Sequence, residues 1–190
     1  MLPCPDEIRT ERLILRRWRE EDVARYAALQ ADPEVRRFFP GTMPIEKGEA
    51  DARLHAEGFE RHGFDQWVVE LPEISAFIGV AGLRKILREM PFQPRVDVGW
   101  HFVPTYWGRG YATEAARAAL RDIFERSDLQ EVVAYTSRMN EPSRKVMHRL
   151  GMTHDPAEDF DHPAVPDHHP LRRHVLYRIS RQAFFGANPS

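Results

Sequence analysis

Between residues 95 and 126 the chain passes from an alternating strand, Arg95 to Val103, through Pro104-Thr105-Tyr106-Trp107 and Gly108-Arg109-Gly110-Tyr111-Ala112 into an amphipathic helix, Ala112 to Arg126. Pro104 stops the strand, because proline cannot extend a hydrogen-bonded ladder. Gly108 and Gly110 give the turn its backbone shape and, lacking Cβ, let a ligand approach the amides. Free N–H groups at the helix start point at that ligand, and the helix dipole favours negative charge there. The chemistry expected is a pyrophosphate held mainly by main-chain donors. Arg109 either adds a phosphate contact or lies in solvent, and a tight turn without a ligand would use the same residues. The P-loop pattern Gly-x-x-x-x-Gly-Lys-Ser/Thr is absent. Thr113 stands where the Rossmann fingerprint needs its third glycine.

Around this turn the periodicity predicts a first strand over Ile8–Trp18 and a helix over Glu20–Ala31, which Asp32-Pro33 ends. A second helix over Glu46–Arg61 has a thin stripe of Ala50, Leu54, Ala56 and Phe59, suited to covering an opening. Gln66–Leu71 and Ser75–Ile86 read as a hairpin turned at Pro72-Glu73. Gln130–Thr136 is a β-branched strand, and Glu141–Leu150 a helix stopped by Gly151. Met152–Glu158 is a candidate strand, Asp159–Arg173 a Pro/His/Asp-rich loop, and Val175–Ser180 a closing strand before an irregular tail. A strand–helix–strand unit inside a mixed sheet makes the class α/β or α+β.

A length of 190 residues suits one domain, 1–190, with its core over about 8–180. A net charge of -2 gives no general attraction to nucleic acid or anionic membranes. No apolar run approaches the roughly 20 residues of a membrane span, and the N-terminus lacks a signal-peptide pattern. One cysteine, Cys4, allows no internal disulfide, which fits a reducing cytoplasm. Monomer and homodimer are both open.

The stretch Asp97-Val98-Gly99-Trp100-His101-Phe102-Val103-Pro104, then Tyr106 through Ala115, resembles motif A of the GNAT superfamily of N-acetyltransferases, most closely its Rim-type branch. The motif usually reads Gln/Arg-x-x-Gly-x-Gly/Ala. Gly110 and Ala112 match it, whereas Trp107 replaces the Gln/Arg. Asn140-Glu-Pro-Ser143, followed by Leu150-Gly151-Met152, resembles the family's Asn-x-x-Ser segment and its Leu-Gly-Phe. Thr10-Glu11-Arg12-Leu13 resembles the family's first strand, so the likeness spans about residues 8–180. It implies a mixed, strongly twisted sheet of about seven strands with helices on both faces. It also implies acetyl-CoA wedged between two splayed strands, and transfer by direct attack of a primary amine on a small molecule or peptide N-terminus.

The resemblance also distributes roles. A primary amine, whose pKa in water is about 10, must lose a proton before it attacks. Asp97 aligns with a glutamate that serves as base in some members. His101, two alternations on, faces the same way and is a second candidate. Both side chains could instead be structural. Phe102 would offer a backbone N–H to the developing oxyanion, with Val103 on the pantetheine arm. Trp107, Gly108, Arg109, Gly110, Tyr111, Ala112 and Thr113 would hold the pyrophosphate. Met147 occupies the position of a tyrosine that many relatives place near the leaving thiolate, and cannot serve. Ser143 matches a serine used there by Rim-type relatives. Asn140 is equally explicable as a helix N-cap.

The run Asp159–Tyr177 is unusual in carrying His162, His168, His169 and His174 among prolines and aspartates. No His-x-x-x-His pair sits on a predicted helix, so no metal site is expected. Its position before the last strand makes Asp161, His162 and His174 candidates for the acceptor pocket. Trp18, Phe38, Phe39 and Trp67 are core or pocket wall. The competing function is a CoA-binding sensor without catalysis.

Overall fold

The first strand folds back on itself. Thr10 N donates to Leu13 O at 2.9 Å, and Leu13 N donates to the Thr10 hydroxyl at 2.9 Å. This closes a hairpin of β1 (Glu7–Arg9) and β2 (Ile14–Arg16) where one strand over Ile8–Trp18 was expected. There follow α1 (Glu20–Ala31), α2 (Ile45–His62), β3 (Gln66–Leu71), β4 (Ser75–Lys85), β5 (Val96–Phe102), α3 (Tyr111–Arg126), β6 (Glu131–Ser137), α4 (Glu141–Arg149), β7 (Thr153–His154), β8 (Phe160–Asp161), β9 (Arg173–Ser180) and α5 (Arg181–Ala187). The computed structural model describes residues 3–187. Among these, nine strands form one sheet in the order β1-β2-β3-β4-β5-β6-β9-β7, with β8 also on β9. The excess over the expected seven comes from the split first strand and from the short β8; β7 lies where the candidate strand Met152–Glu158 was expected. The tail expected to be irregular is α5, whose Phe184 is fully buried beside Phe124.

Alternation along the strands divides the sheet into two faces. On one face α3 and α5 bury the main core, with Ala115, Ala119, Ile123, Phe124 and Phe184 against Leu15, Trp67, Val69, Ile78, Leu83, Val98, Ala134 and Tyr177. The other face carries two separate clusters. Val23, Tyr26, Leu29, Ala52, Val68 and Val80 pack under α1 and α2. Ile86, Met90, Phe92, Val133, Phe160 and Leu176 pack under the histidine-rich segment. The gap between these clusters becomes the site.

The α2 helix buries Phe59 of the expected stripe but otherwise turns a different side inward. Ala50 and Leu54 are exposed, while Gly48, Ala52, His55 and Phe59 are buried. A Cβ on Gly48 would sit 2.8 Å from Ala27 Cα, so the helices touch backbone to backbone. Burial of a histidine and a glycine cannot be read from a hydrophobic stripe.

A buried ion network fixes α1 to the sheet. Arg16 donates to Asp22 Oδ2 at 2.7 Å and Oδ1 at 3.0 Å, to Glu70 at 3.0 Å and to Ala76 O at 2.8 Å. Asp22 also accepts from Arg19 N at 2.8 Å, which caps α1. Its side chain has no solvent exposure, so removing it strands a buried guanidinium. Asp22→Ala should cost about 3–5 kcal/mol, and replacing Arg16 and Asp22 together by Met and Leu should cost far less. Urea denaturation of the two variants checks both values.

Candidate active site

Strands β5 and β6 are the one parallel pair in the sheet, and they pair at a single register position, Asp97 opposite Val133. On either side the sheet is continuous: β5 follows β4 from Val96 to Phe102, and β6 follows β9 along its whole length. Beyond Asp97 the two halves diverge and open a cleft of about 1380 Å³ through the sheet. One end is lined by Trp107, Gly108, Gly110, Tyr111, Ala112, Thr113, Asn140 and Ser143; the other by Tyr26, Gln30, Arg36, Asp51, Asp97, His101, Tyr135, His162 and His174.

At the first end Gly108 and Gly110 have φ of 74° and 84°. A Cβ on Gly108 would meet nothing within 4 Å, so left-handed backbone rather than crowding selects glycine. The first α3 ladder bond runs from Glu114 N to Gly110 O at 3.0 Å, which leaves the amides of Tyr111, Ala112 and Thr113 ahead of it. Thr113 Oγ1 is buried without a partner. The hairpin steadies this turn: Thr10 Oγ1 donates to Glu114 at 2.6 Å, and Arg12 pairs with Glu114 at 2.6 Å and donates to Arg109 O at 3.1 Å. The exposed Arg109 side chain is not part of the cleft wall.

Val103 N donates to Ile78 O at 3.0 Å, which makes that pair a hydrogen-bonded one. By antiparallel alternation the neighbouring Phe102 pair with Gly79 is not, so the Phe102 N–H and C=O face the diverging β6 side. Its carbonyl accepts from Trp107 Nε1 at 2.7 Å. Its N–H thus faces the cleft as a hydrogen-bond donor. Val103, by contrast, turns its side chain into the cluster under α1 and is not a lining residue. Asn140 is an N-cap in fact: Oδ1 accepts from Ser143 N at 3.3 Å and Nδ2 donates to Thr136 Oγ1 at 2.9 Å. It still lines the cleft beside Ser143.

At the second end Asp97 is 4% exposed. Oδ2 accepts from Arg84 at 3.2 Å, and Oδ1 is buried without a partner. Burial, together with Asp97's charge, raises the Tyr135 hydroxyl to about 12. His101 Nδ1 lies 2.5 Å from Gln30 Nε2. Gln30 Oε1 accepts from Arg36 at 3.1 Å, which orients the amide so that Nε2 donates to the imidazole. Burial, then the charges of Arg84 and Arg36, push His101 down to about 3. His101 is therefore neutral with its proton on Nε2, a donor toward the cleft.

A network outside the expected site borders this end. Tyr26 donates to Asp51 at 2.7 Å, and His55 Nδ1 lies 2.5 Å from Asp65. Burial opposes charge on His55, yet bonds to Asp51 and Asp65 raise it; burial likewise opposes charge on Asp51, yet His55 and Tyr26 hold it near 2. Opposite lie His162 and His174, ring centroids 4.7 Å apart, with Tyr135 stacked on His162 at 5.8 Å. Burial, then the neighbouring His174, lowers His162 to about 4. Asp161 is exposed, pairs with Arg172 and Arg173, and does not line the cleft. Among the described residues no group of three His, Cys, Asp or Glu is arranged for a metal ion. Phe38 and Phe39 line the cleft, Trp67 is core, and Trp18 stacks on His55.

The family model of the acetyltransferase (GNAT) domain matches residues 12–153. The chain is 43% identical over 134 residues to the FsC-acetyl coenzyme A-N(2)-transacetylase of Aspergillus fumigatus, covering 66% of this chain and 56% of that protein. The structure of an acetyltransferase from Agrobacterium tumefaciens superposes with a TM-score of 0.73 at 28% identity, covering 94% of this chain and 96% of that one. RimJ of Mycobacterium smegmatis, in complex with CoA-disulfide, shares the fold with a TM-score of 0.70 at 19% identity, covering 94% and 84%.

The histidine shifts fix a pH dependence. His101 falls from 6.5 unfolded to about 3 folded, so below pH 6.5 the unfolded chain takes a proton that the folded chain refuses. Its contribution to stability is complete above 6.5 and is lost as pH falls toward 3; His162, at about 4, acts in the same sense. Denaturation between pH 6 and 4 should show stability falling less steeply in His101→Gln than in the parent. Histidine NMR should show the parent His101 proton on Nε2 down to pH 5.

Proposed function

The chain belongs to the acetyltransferase (GNAT) family, and from that premise we propose how its residues divide the transfer of an acetyl group from acetyl-CoA to a primary amine. The cofactor supplies an acyl group activated as a thioester. The residues present suit it: two orphaned buried polar atoms, Thr113 Oγ1 and Asp97 Oδ1, belong to residues lining one cleft, and a glycine turn at a helix N-terminus stands at its mouth. The amides of residues 108–113 fit the pyrophosphate. The Phe102 N–H fits the charge that develops on the carbonyl oxygen.

The unpartnered Asp97 Oδ1 carries the assignment of the base. Arg84 donates to Oδ2 and fixes it, so Oδ1 is the oxygen left to accept a proton. Asp97 precedes Phe102 by five residues, roughly 16 Å of extended chain. Proton transfer from an amine poised near Phe102 therefore runs through water in the polar cleft. His101 is better read as a donor that orients the acceptor than as a base, because its lone pair is already engaged by Gln30. Ser143 lines the cofactor end of the cleft, and its hydroxyl is our candidate to donate a hydrogen bond to the departing thiolate.

The acceptor read from this cleft is an amine on a small molecule. The Aspergillus fumigatus relative is named for N(2) transfer, which agrees with an amine nitrogen as the acceptor. The deep end, walled by Asp51, Tyr26 and aromatic rings, suits a cationic or polar amine.

Release of free thiol from acetyl-CoA across a panel of amines tests the assignment. Asp97→Ala should lower kcat about 10²-fold at pH 7. The deficit should shrink as pH rises toward 9.5, where solution chemistry supplies neutral amine. Ser143→Ala should cost less. A deficit that stays constant with pH removes Asp97 as proton acceptor. Tight acetyl-CoA binding without thiol release for any amine would leave only the binding function.

A further inference from the structure

The family motif carries a Gln or Arg at the position of Trp107, so the turn lacks a side-chain donor that the motif normally brings. The indole cannot replace it. Its one N–H is engaged by Phe102 O at 2.7 Å, which pins the ring at the mouth of the cleft. What lies on that ring is a cation from elsewhere in the chain: the Arg37 guanidinium stands 4.8 Å from the Trp107 centroid. Arg37 belongs to the turn between α1 and α2, and it lines the same cleft as Trp107, Gly108 and Gly110. Its ion pair to Glu34, at 3.7 Å, joins side chains 39% and 59% exposed and is weak. A guanidinium is planar, so it stacks on an aromatic face and still presents its edge donors to phosphate oxygens.

The residue before it faces the other end. Arg36 stacks on Phe39 at 3.9 Å and donates to Gln30 Oε1 at 3.1 Å and to Gly41 O at 3.1 Å. Gln30 sets the His101 tautomer, and Phe39 packs edge-on against His101 at 5.5 Å. One turn therefore carries, in consecutive residues, a weakly paired cation toward the phosphate turn and the arginine that orders the acceptor side.

We propose that Arg37 binds the pyrophosphate of CoA, supplying from the α1–α2 turn the side-chain donor absent at residue 107, and that cofactor binding thereby presets the acceptor pocket. Trp107 is the platform that positions this arginine. The proposal rests on the cofactor reading above and adds a positioning role for the turn that carries Arg36 and Arg37.

Calorimetry with CoA and hydrogen exchange of the amides of residues 36–43 test it, with no acceptor needed. Arg37→Ala should weaken CoA about tenfold or more without changing the melting temperature, and Arg37→Lys should weaken it less. Adding Trp107→Arg to Arg37→Ala restores one of the motif's two usual side-chain donors and should recover most of the loss. CoA should slow exchange over residues 36–43 in the parent and fail to do so in Arg37→Ala. Unchanged CoA affinity in Arg37→Ala overturns the proposal and leaves the cofactor reading intact. A tenfold loss of affinity with parent-like slowing of exchange removes the preset pocket and keeps the phosphate contact. No binding of millimolar CoA by the parent protein sinks both readings.

Discussion

Everything in this molecule that bears on chemistry depends on two strands that part company. The sheet pairs β5 with β6 at Asp97 and Val133 and then lets them diverge, while β4 and β9 hold each strand straight from its outer side. Backbone groups that face an empty gap inside a protein are costly unless something hydrogen-bonds to them. The Phe102 N–H is such a group, as are the amides ahead of the first α3 ladder bond. The fold thus lines a path through its own sheet with main-chain donors, the arrangement that the proposed contacts to a thioester carbonyl and to phosphates call for.

The gap survives because the second face of the sheet is covered twice rather than once. A continuous apolar layer there would fill the space over Asp97 and His101. Instead the cluster under α1 and α2 and the cluster under the histidine-rich segment stop on either side of it. The α2 helix has too little apolar surface to be held by burial alone, and polar links do much of the fastening. Arg16 with Asp22 and Glu70 ties α1 to the sheet, and Asp65 with His55, Asp51 and Tyr26 ties α2 to α1 and β3. Buried networks of this kind need every member in place, which makes the placement of the helices geometrically specific.

This division also explains what could be read from residue order. The phosphate turn, the α3 helix and the β3–β4 hairpin are local patterns, and Pro104, Gly108 and Gly110 shape the backbone as their residue types dictate. The inward face of α2 was not legible, because its contacts use Gly48 and His55, neither of which marks an apolar stripe. Phe102 turns its N–H to the cleft, whereas Val103, one residue on, points its side chain to the opposite face. Arg109 and Asp161 look functional in sequence and turn out to face solvent. Gln30, Arg36, Asp51 and Tyr135 had no signal, since each gains its meaning from a partner distant in the chain.

The cleft also separates two kinds of electrostatic work. A base must hold a negative charge ready, and a group that orients an amine must not compete for its proton. Arg84 donates to one oxygen of Asp97 and leaves the other without a partner. The same cation, with Arg36, helps burial to keep His101 neutral. Arg36 acts on His101 a second time through Gln30, whose donated hydrogen bond occupies Nδ1 and leaves Nε2 protonated. Two arginines thus hold a carboxylate and an imidazole on the same strand in different states, which is what the proposed roles of Asp97 as proton acceptor and His101 as hydrogen-bond donor require. Arg36 is itself held by Phe39, Gln30 and Gly41, so the state of His101 is built into the packing of α1 and the turn that follows it.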